Sequence, residues 1–315
     1  MTAVTAQPSL RNERIRLRIR SLRSFLRQFS RRPAGVAGVI VLLIFTVLAI
    51  APGLFVGPLQ TVTTATGDRL QSPILAEPIG TDSLGRSVLN LTVWGTRISM
   101  VIGLLATIVT IVVGVVVGIV AGYVGGAIDA LLMRVTDLFL VLPTFVLALI
   151  LAPIILDIVG RDAEFFGIRI TLVVIVVVIG LTSWASTARV IRSQVLSLKE
   201  RAFVDRARAV GAGGGHIMRR HLLPNVINLI IANTVLTFAG AVLTETTLSF
   251  IGLGDPFQPS WGQILNDAQT VGAPSLGAWW WVAGPAASIV LVVLAFTLVG
   301  NALDEILNPR LRARR

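Results

Sequence analysis

Long apolar runs separated by shorter polar stretches make up most of the chain. A helix needs about 20 apolar residues to cross about 30 Å of hydrocarbon. Six runs come close to or exceed this length, at 33–55, 97–123, 131–156, 170–190, 225–251 and 282–303. The pattern therefore predicts an all-α membrane protein with six transmembrane helices.

Details within these runs predict how the helices are shaped and packed. Gly114 and Gly118 lie four residues apart, a small-residue face that lets another helix approach closely. Pro143 is expected to kink the third span. Arg134 and Asp137, one turn apart near the start of that span, can pair. Three consecutive tryptophans, 279–281, are typical of a membrane interface.

The composition supports a membrane protein. Hydrophobic residues make up 54% of the 315 residues and charged residues only 14%, against about 25% charged in ordinary globular domains. Cysteine is absent, which excludes disulfides and thiolate chemistry. A net charge of +11 in a soluble protein would suggest nucleic acid as a partner. Here the basic residues cluster at the ends of apolar runs, which favours orientation in the lipid bilayer and no nucleic acid.

The basic residues also predict an orientation. In a six-span arrangement, 22 of the 27 Lys and Arg residues fall on the side of both termini and of the loop between the fourth and fifth spans. Cytoplasmic loops carry the excess of Lys and Arg in membrane proteins. We therefore expect a multi-pass protein of the cell (inner) membrane with both termini in the cytoplasm.

The segment before the first span is basic and has a helical period. Its apolar residues recur with 4-3-4-3 spacing at Ile15, Ile19, Leu22, Leu26 and Phe29. This spacing places them on one helical face, which indicates an amphipathic helix at the membrane surface. A solvated charged tail is the alternative, and the first ten residues are polar and are expected to be disordered.

The stretch from Ser197 to Asn225 is the longest strongly polar one in an otherwise apolar second half. Ser197 and Glu200 have the spacing of a capping box, which predicts the start of a helix. Gly211 is expected to end that helix as a left-handed residue after its C-terminus. A second short helix is expected over 216–222, interrupted by Pro224 because the residue before a proline is biased out of the α region.

The first of these helices has two distinct faces. Helical spacing groups Phe203, Ala207 and Val210 on one face, and Arg201, Asp205 and Arg208 on another. Asp205 can pair with either arginine, and the small residues Ala207 and Gly211 let another protein approach. The alternative is a connector that only follows the charge rule, but a capped helix with a glycine stop is more than that rule requires.

These residues resemble the cytoplasmic loop of permease subunits of bacterial ABC importers. The pattern there is E-A-A, three residues, G, nine residues, I-x-L-P, and here it reads Asp205-Arg206-Ala207, Gly211 and His221-Leu222-Leu223-Pro224. Asp replaces Glu, Arg206 replaces the first Ala and His221 replaces Ile. Six further motifs in the right order resemble the C-type permease of oligopeptide and dipeptide importers: GTDSLGR, GTRIS, AGYVGG, LSFIGLG, PSWG and NPRLR.

The resemblance implies a type I ABC importer (MetI-like) transmembrane domain. The implied partners are a homologous B-type permease, two ABC ATPase subunits and an extracytoplasmic substrate-binding protein, with alternating access as the mechanism. Di- or oligopeptides are the implied cargo, although related machinery carries nickel or other small solutes. The implied contacts with the ATPase are Phe203, Asp205, Arg206, Ala207, Arg208, Gly211, His221, Leu223 and Pro224.

The same resemblance divides the chain into four segments. Residues 1–32 form the basic cytoplasmic tail or interfacial helix, and residues 33–95 the first transmembrane helix with an extracytoplasmic segment. Residues 96–305 form the importer transmembrane domain of five helices with its coupling loop at 197–225. Residues 306–315 form a basic cytoplasmic tail.

The sequence lacks the motifs of an enzyme. Lys199 is the only lysine and lies between Leu198 and Glu200, so no phosphate-binding P-loop is present. ATP and Mg²⁺ are therefore expected on partner subunits, with no cofactor and no catalytic residue in this chain. His216 and His221 are five residues apart, which predicts different helix faces and no metal site. A membrane-embedded enzyme would need a catalytic constellation, and none is recognisable.

Glu245 is the one carboxylate in a span that merits a functional hypothesis. It is expected to line the translocation path or hold the outer gate, with a structural hydrogen bond as the alternative. A secondary transporter or channel is the remaining rival class. It would require buried ionisable residues for ion coupling, and the spans contain few.

Overall fold

The structure, a computed structural model, describes residue 20 and residues 23–160, 163–165 and 168–307. Predictions for residues 1–19 and 308–315 therefore lie outside the described residues. They include the first ten residues, most of the basic amphipathic helix, the NPRLR motif and most of the C-terminal tail. Within the predicted amphipathic helix, residues 23–30 are helical as expected.

Helices form nearly all of the regular structure that is described. They are α1 (Pro33–Ile50), α2 (Gly53–Val56), α3 (Val88–Val124), α4 (Gly126–Val141), α5 (Thr144–Val159), α6 (Ile170–Lys199), α7 (Ala202–Ala209), α8 (Gly214–Ile217), α9 (Leu223–Leu248), α10 (Trp261–Val271) and α11 (Trp279–Leu307). Two π-helical turns, Met218–Leu222 and Ser249–Leu253, flank α9. Strands β1 (Glu164–Phe165) and β2 (Ile168–Arg169) pair antiparallel, with Glu164 opposite Arg169 and Phe165 opposite Ile168.

Five helical segments of the described chain are long and apolar enough to cross a membrane: α1, α3, α6, the continuous run Gly214–Leu253, and α11. Helices α4 and α5 pass the same test together and meet at 92°. Counted as one broken span, this pair gives the sixth crossing. The all-α membrane fold is therefore confirmed, with five spans or, when the broken pair is counted as one, the predicted six, and the third span differs in shape from the prediction.

The bundle has two chemically different ends. We call the end that carries α7 and α8 the basic end, since arginines of α6, α7 and the following π turn lie there. The opposite end carries the β hairpin, α10 and the long segment between α2 and α3, and we call it the loop end.

The most extensive contact between two described helices joins α3 to α6. A Cβ added at Gly114 would lie 2.6 Å from Cβ of Thr187, and one at Gly118 would lie 2.6 Å from the carbonyl oxygen of Ala188. Only glycine permits this approach, because real Cβ atoms do not come so close to other heavy atoms. The predicted small-residue face is confirmed, and it continues one turn further at Gly122.

Helix α3 begins earlier than predicted. It runs from Val88 to Val124 without a break, so the predicted segment boundary after residue 95 falls inside one helix. The second segment boundary, after residue 305, falls inside α11. Asp82, in the GTDSLGR motif, closes a turn ahead of α3: its Oδ1 accepts hydrogen bonds from the backbone N–H groups of Leu84 and Arg86 at 2.8 and 2.9 Å.

The expected kink at Pro143 is a full break. Leu142 has φ −79° and ψ 129°, the extended conformation that a following proline favours, so α4 ends and α5 starts in a new direction. Asp137 pairs with Arg189 of α6 at 2.5 Å, and not with Arg134 as the one-turn spacing suggested. Helix α4 packs against α6, which brings Asp137 within reach of the Arg189 guanidinium.

A second ion pair anchors α4 more firmly. The guanidinium of Arg192 donates two hydrogen bonds of 2.6 Å to the carboxylate of Asp129. The two side chains are 29% and 16% exposed, whereas those of Arg189 and Asp137 are both 57% exposed. Bidentate geometry and partial burial make the Arg192–Asp129 pair the stronger one.

These two ion pairs differ in a way that unfolding can test. We expect Asp129→Ala to destabilise the protein by about 2 kcal/mol, between the values typical of exposed and buried pairs. The matched variant Asp137→Ala should cost at most about 0.5 kcal/mol. Thermal unfolding of the purified protein in mild detergent measures both, and equal effects would contradict the difference assigned to burial.

Candidate functional site

Helix α7 does not start as predicted. Helix α6 continues through Ser197 to Lys199, so Ser197 and Glu200 lie at its C-terminal end and form no capping box. Tertiary packing explains this difference. Val195 is fully buried and Leu198 packs against the same core, and these contacts stabilise α6 beyond Ser197. Helix α7 instead begins after Arg201, whose side chain makes no capping hydrogen bond.

The end of α7 is as predicted. Gly211 has φ +83°, and its backbone N–H donates to the carbonyl of Arg208 at 2.9 Å. The N–H of Ala212 donates to the carbonyl of Ala207 at 3.0 Å. This pair of bonds is a Schellman motif, which satisfies two of the carbonyls left free at a helix C-terminus.

The face of α7 that packs on the bundle coincides only in part with the face of Phe203, Ala207 and Val210. Val204 is completely buried and Ala207 is 8% exposed, whereas Val210 is 85% exposed and Phe203 is half-buried. Val204 and Ala207 join a core formed by α3, α6, α8 and α9. Ala207 thus packs within the chain itself, which contradicts its predicted role of letting another protein approach.

The outward face of α7 is charged. Asp205, Arg206 and Arg208 are exposed, and Asp205 pairs with Arg208 at 3.4 Å as the spacing predicted. The guanidinium of Arg208 also lies 5.8 Å from the ring centre of Tyr123, at the end of α3. The same ring covers Gly214 at the start of α8, where an added Cβ would lie 3.0 Å from a ring carbon.

Pro224 does not interrupt the second short helix. Helix α8 runs through the π turn into α9, and Pro224 lies in the first turn of α9, where a missing N–H is tolerated. The wider π turn also brings His216 and His221 together, with ring centres 5.8 Å apart. The prediction that they lie on different faces is therefore wrong, because it assumed an α-helical period.

The predicted coupling residues do come together at the basic end. Exposed among them are Asp205, Arg206, Arg208, Gly211 and Pro224, and half-buried are Phe203, His221 and Leu223. The rings of Phe203 and His221 lie 6.3 Å apart, which joins α7 to the π turn. Among the described residues, no group of three His, Asp or Glu side chains is placed to hold a metal ion.

Sequence reasoning missed two side chains of this site, Val204 and Tyr123. Val204 anchors α7 in the core, and Tyr123 supports Arg208 and α8 from the end of α3. Tyr123 is the only tyrosine of the chain and stands in the AGYVGG motif. Val204 lies three residues before Ala207, and this spacing places both residues on one face of a helix. The burial of Val204 together with Ala207 could have been predicted from it.

The carboxyl group of Glu245 is fully buried near the loop end of α9. The Ser249 hydroxyl donates to its Oε1 at 2.8 Å, and the Thr246 hydroxyl lies 3.5 Å from Oε2. The hydroxyls of Ser99 and Ser260 also interact with the carboxyl. Glu245 therefore joins α9, α3 and the start of α10 through a cluster of hydroxyl groups.

The loop end is held together by residues of the recognised motifs. Arg86 Nε donates to the buried carboxylate of Asp82 at 2.6 Å and its guanidinium lies 3.8 Å from Asp267 of α10. Burial raises the pKa of the Asp267 carboxyl above its ordinary value, against the opposing effects of Gln263 and Arg86. The indole N–H of Trp261, in the PSWG motif, donates to the carbonyl of Thr92 at 3.1 Å.

The fold and this site define a multi-span helical membrane protein with a charged helix held against one end of its bundle. The sequence profile of the family described as "Binding-protein-dependent transport system inner membrane component" matches residues 114–313. The chain belongs to this family. The matched range covers α7 and the rest of the basic end, so the resemblance seen in the sequence is confirmed.

Two relatives cover nearly the whole chain. The dipeptide transport system permease protein DppC of Bacillus subtilis is 34% identical over 290 residues, 91% of this chain and 85% of its own length. The protein of the same name from Alkalihalophilus pseudofirmus is 32% identical over 294 residues, 92% of this chain and 90% of its own.

The Schellman motif of α7 gives a test with a matched control. Gly211→Ala places a Cβ at φ +83° in open space, so its cost of about 1 kcal/mol is purely conformational. We expect the amides of residues 211 and 212 to exchange hydrogen about fivefold faster. Gly213→Ala also meets open space, but at φ −66°, and should leave exchange unchanged. Equal exchange in the two variants would contradict the assigned cap.

Proposed function

We propose that this chain is the C-type permease subunit of an ABC importer for di- or oligopeptides. The observation that carries the proposal is the charged helix α7, packed on the bundle by Val204 and Ala207 with Asp205, Arg206 and Arg208 exposed on its outer face. The family match and the peptide-transport names of its relatives support the class and the cargo.

The proposed assembly contains four kinds of subunit. A homologous B-type permease completes the translocation path, and two ABC ATPase subunits bind ATP and Mg²⁺. An extracytoplasmic binding protein delivers the peptide to the loop end. ATP binding is assigned to the partner subunits because the single lysine of this chain is not part of a P-loop.

The distribution of charge supports the proposed orientation. The basic end faces the cytoplasm, where positively charged segments are favoured, and the loop end faces outward. Both termini are then cytoplasmic. The ATPase subunits and α7 are on the same side in this arrangement, as coupling requires.

Movement of α7 would reach the spans through direct contacts. Val204 and Ala207 share a buried core with Ile119 of α3, Ile191 of α6 and Val226 of α9. Packed cores transmit displacement because they are dense and incompressible. ATP-driven closure of the ATPase subunits would therefore shift three spans at once, which is the proposed basis of alternating access.

Glu245 is proposed to hold the outer gate. Its carboxyl is enclosed by hydroxyl groups of α3, α9 and the start of α10, so it joins elements that must separate when the loop end opens. The rival role, a charged carboxylate lining the path, requires an ionised group in contact with the cargo.

The partner contact is tested by reversing the charge on α7. Asp205 is 64% exposed, so Asp205→Lys should leave the melting temperature unchanged but abolish co-purification of the ATPase subunits and lower uptake of labelled dipeptide by at least about tenfold. Glu164→Lys, an exposed change at the loop end, should keep the ATPase bound. A wild-type chain that captures no ATPase, or an Asp205→Lys chain that captures it normally, would overturn the proposal.

The role of Glu245 is tested by two substitutions. Glu245→Gln keeps hydrogen bonding to the hydroxyls and should retain uptake within about twofold, whereas Glu245→Ala leaves them unpaired and should destabilise the protein by about 1–3 kcal/mol and lower uptake. Uptake and thermal unfolding are measured together. Loss of uptake in the Gln variant at an unchanged melting temperature would favour the charged path role instead.

A further inference from the structure

Three exposed arginines precede the first span. Arg23, Arg27 and Arg31 follow one another at intervals of four residues, in and just after the helical segment 23–30. None of the three pairs with a carboxylate of the described residues. The sequence has no Asp or Glu over 14–67, so nothing nearby along the chain compensates their charge. The proposed coupling and gate do not use these arginines.

Contacts with α1 and α11 fix this segment in place. The ring of Phe29 approaches α1 at Gly35, where an added Cβ would lie 3.2 Å from a ring carbon, and Phe25 stacks on Phe29 with ring centres 6.2 Å apart. Arg32 has φ −107° and ψ 91°, which ends the segment before α1 starts, and its guanidinium pairs with Glu305 of α11. The aromatic side of the segment is therefore half-buried on the bundle, and the three arginines are left exposed.

The length of α11 places this segment at the level of the lipid headgroups. Helix α11 begins at the loop end with Trp279, which is 64% exposed, as tryptophans at a membrane interface are. Trp280 and Trp281 are 9% and 1% exposed and so do not form the predicted interface belt. The 29 residues of α11 rise about 43 Å, and a bilayer with its headgroups is about 40–45 Å thick. Glu305, near the other end of α11, and its partner Arg32 therefore lie at the opposite headgroup level.

The first span beside these arginines is bordered by lipid. Three residues of α1 are buried: Gly35, Gly38 and Phe45. Ile40 and Ile44 are both 53% exposed, as expected of side chains in contact with lipid tails. Arg31 is two residues before the start of α1, at most about 7 Å along the chain. A phospholipid whose tails contact α1 therefore has its phosphate within reach of the arginines.

We propose that Arg23, Arg27 and Arg31 bind the phosphate groups of anionic phospholipids at the basic end of the bundle. A guanidinium donates two parallel hydrogen bonds to phosphate oxygens, which suits it to this headgroup. A basic residue at the surface of an anionic leaflet strengthens binding by about fivefold. The proposal requires that the chain spans a membrane and does not depend on the cargo or on the ATPase subunits.

The arginine surface is separate from the proposed contact with the ATPase. Helix α7 packs on a core formed by α3, α6, α8 and α9. The segment 23–30 instead contacts α1 and, through the residue pair that follows it, α11. An acidic partner protein is the other occupant that three exposed arginines could attract. Their headgroup depth and the lipid-exposed span beside them favour the lipid.

Two double substitutions test where the lipid binds. Arg23→Gln with Arg27→Gln removes two charges of the proposed surface, and the fold should be unchanged because both side chains are exposed. Arg219→Gln with Arg220→Gln is the matched control, with the same change in net charge. Both of these arginines are exposed, and the π turn that carries them packs on α3, α6 and α9.

The full-length chain is purified in mild detergent, titrated separately with phosphatidylglycerol and with zwitterionic phosphatidylcholine, and examined by native mass spectrometry. We expect the wild-type chain to bind phosphatidylglycerol at least about tenfold more tightly than phosphatidylcholine. The Arg23→Gln, Arg27→Gln variant should lose this preference, and the control should keep it within about twofold. Glycerol phosphate, which has the phosphate without the tails, should not displace the lipid.

Equal lipid preference in the Arg23→Gln, Arg27→Gln variant and the wild-type chain would overturn the proposal, and so would an equal loss in the control. If the double variant does not fold, as judged by its melting transition, Arg27→Gln alone carries the test.

The position of the arginines is tested in vesicles of phosphatidylglycerol and phosphatidylcholine that contain the full chain. A fluorophore on Arg27→Cys should be quenched by a nitroxide on the lipid headgroup at least about twofold more than one on Arg220→Cys. Equal quenching would contradict the assigned depth. In the assembled importer, an Arg27→Cys chain that cross-links to an ATPase subunit would also overturn the proposal, since protein would then cover the arginines.

Discussion

The close contact between α3 and α6 is the constraint on which the rest of the structure depends. Gly114, Gly118 and Gly122 bring the two backbones together along three turns, near Thr187, Ala188 and Val195. In a membrane the hydrophobic effect gives little drive for helices to associate, so close van der Waals packing of small residues supplies it. The core beneath α7 and the ion pairs of α4 are both built on this helix pair.

At the basic end, α7 packs on the α3–α6 helix pair. Helix α7 is short and would be marginal alone, because isolated helices of fewer than about 12–15 residues are barely stable in water. Val204 and Ala207 hold it in the core that α3 and α6 form, and Tyr123 supports it from the side. Its charged face is left free. A helix that is fixed on one face and charged on the other is suited to transfer the motion of a partner to the spans, which is the proposed role.

The sequence was sufficient to predict features that depend on local chemistry. Six spans, the glycine face of α3 and the stop at Gly211 follow from hydropathy, residue size and backbone conformation. Predictions failed where tertiary packing or an unusual period decided the outcome. The buried Val195 carries α6 past Ser197, and the π turn brings His216 and His221 together although five residues separate them. The buried side of α7 depends on which neighbour it meets, and its own sequence does not contain that information.

The most direct test of the account is a single-cysteine cross-link, which is simple in a chain without cysteine. Val210, at the end of α7, is 85% exposed, and Val62, at the loop end, is 62% exposed. A cysteine at position 210 in membranes containing the assembled importer should cross-link to an ATPase subunit, and one at position 62 should not. An ATPase adduct at position 62 and none at position 210 would contradict both the orientation and the coupling role of α7.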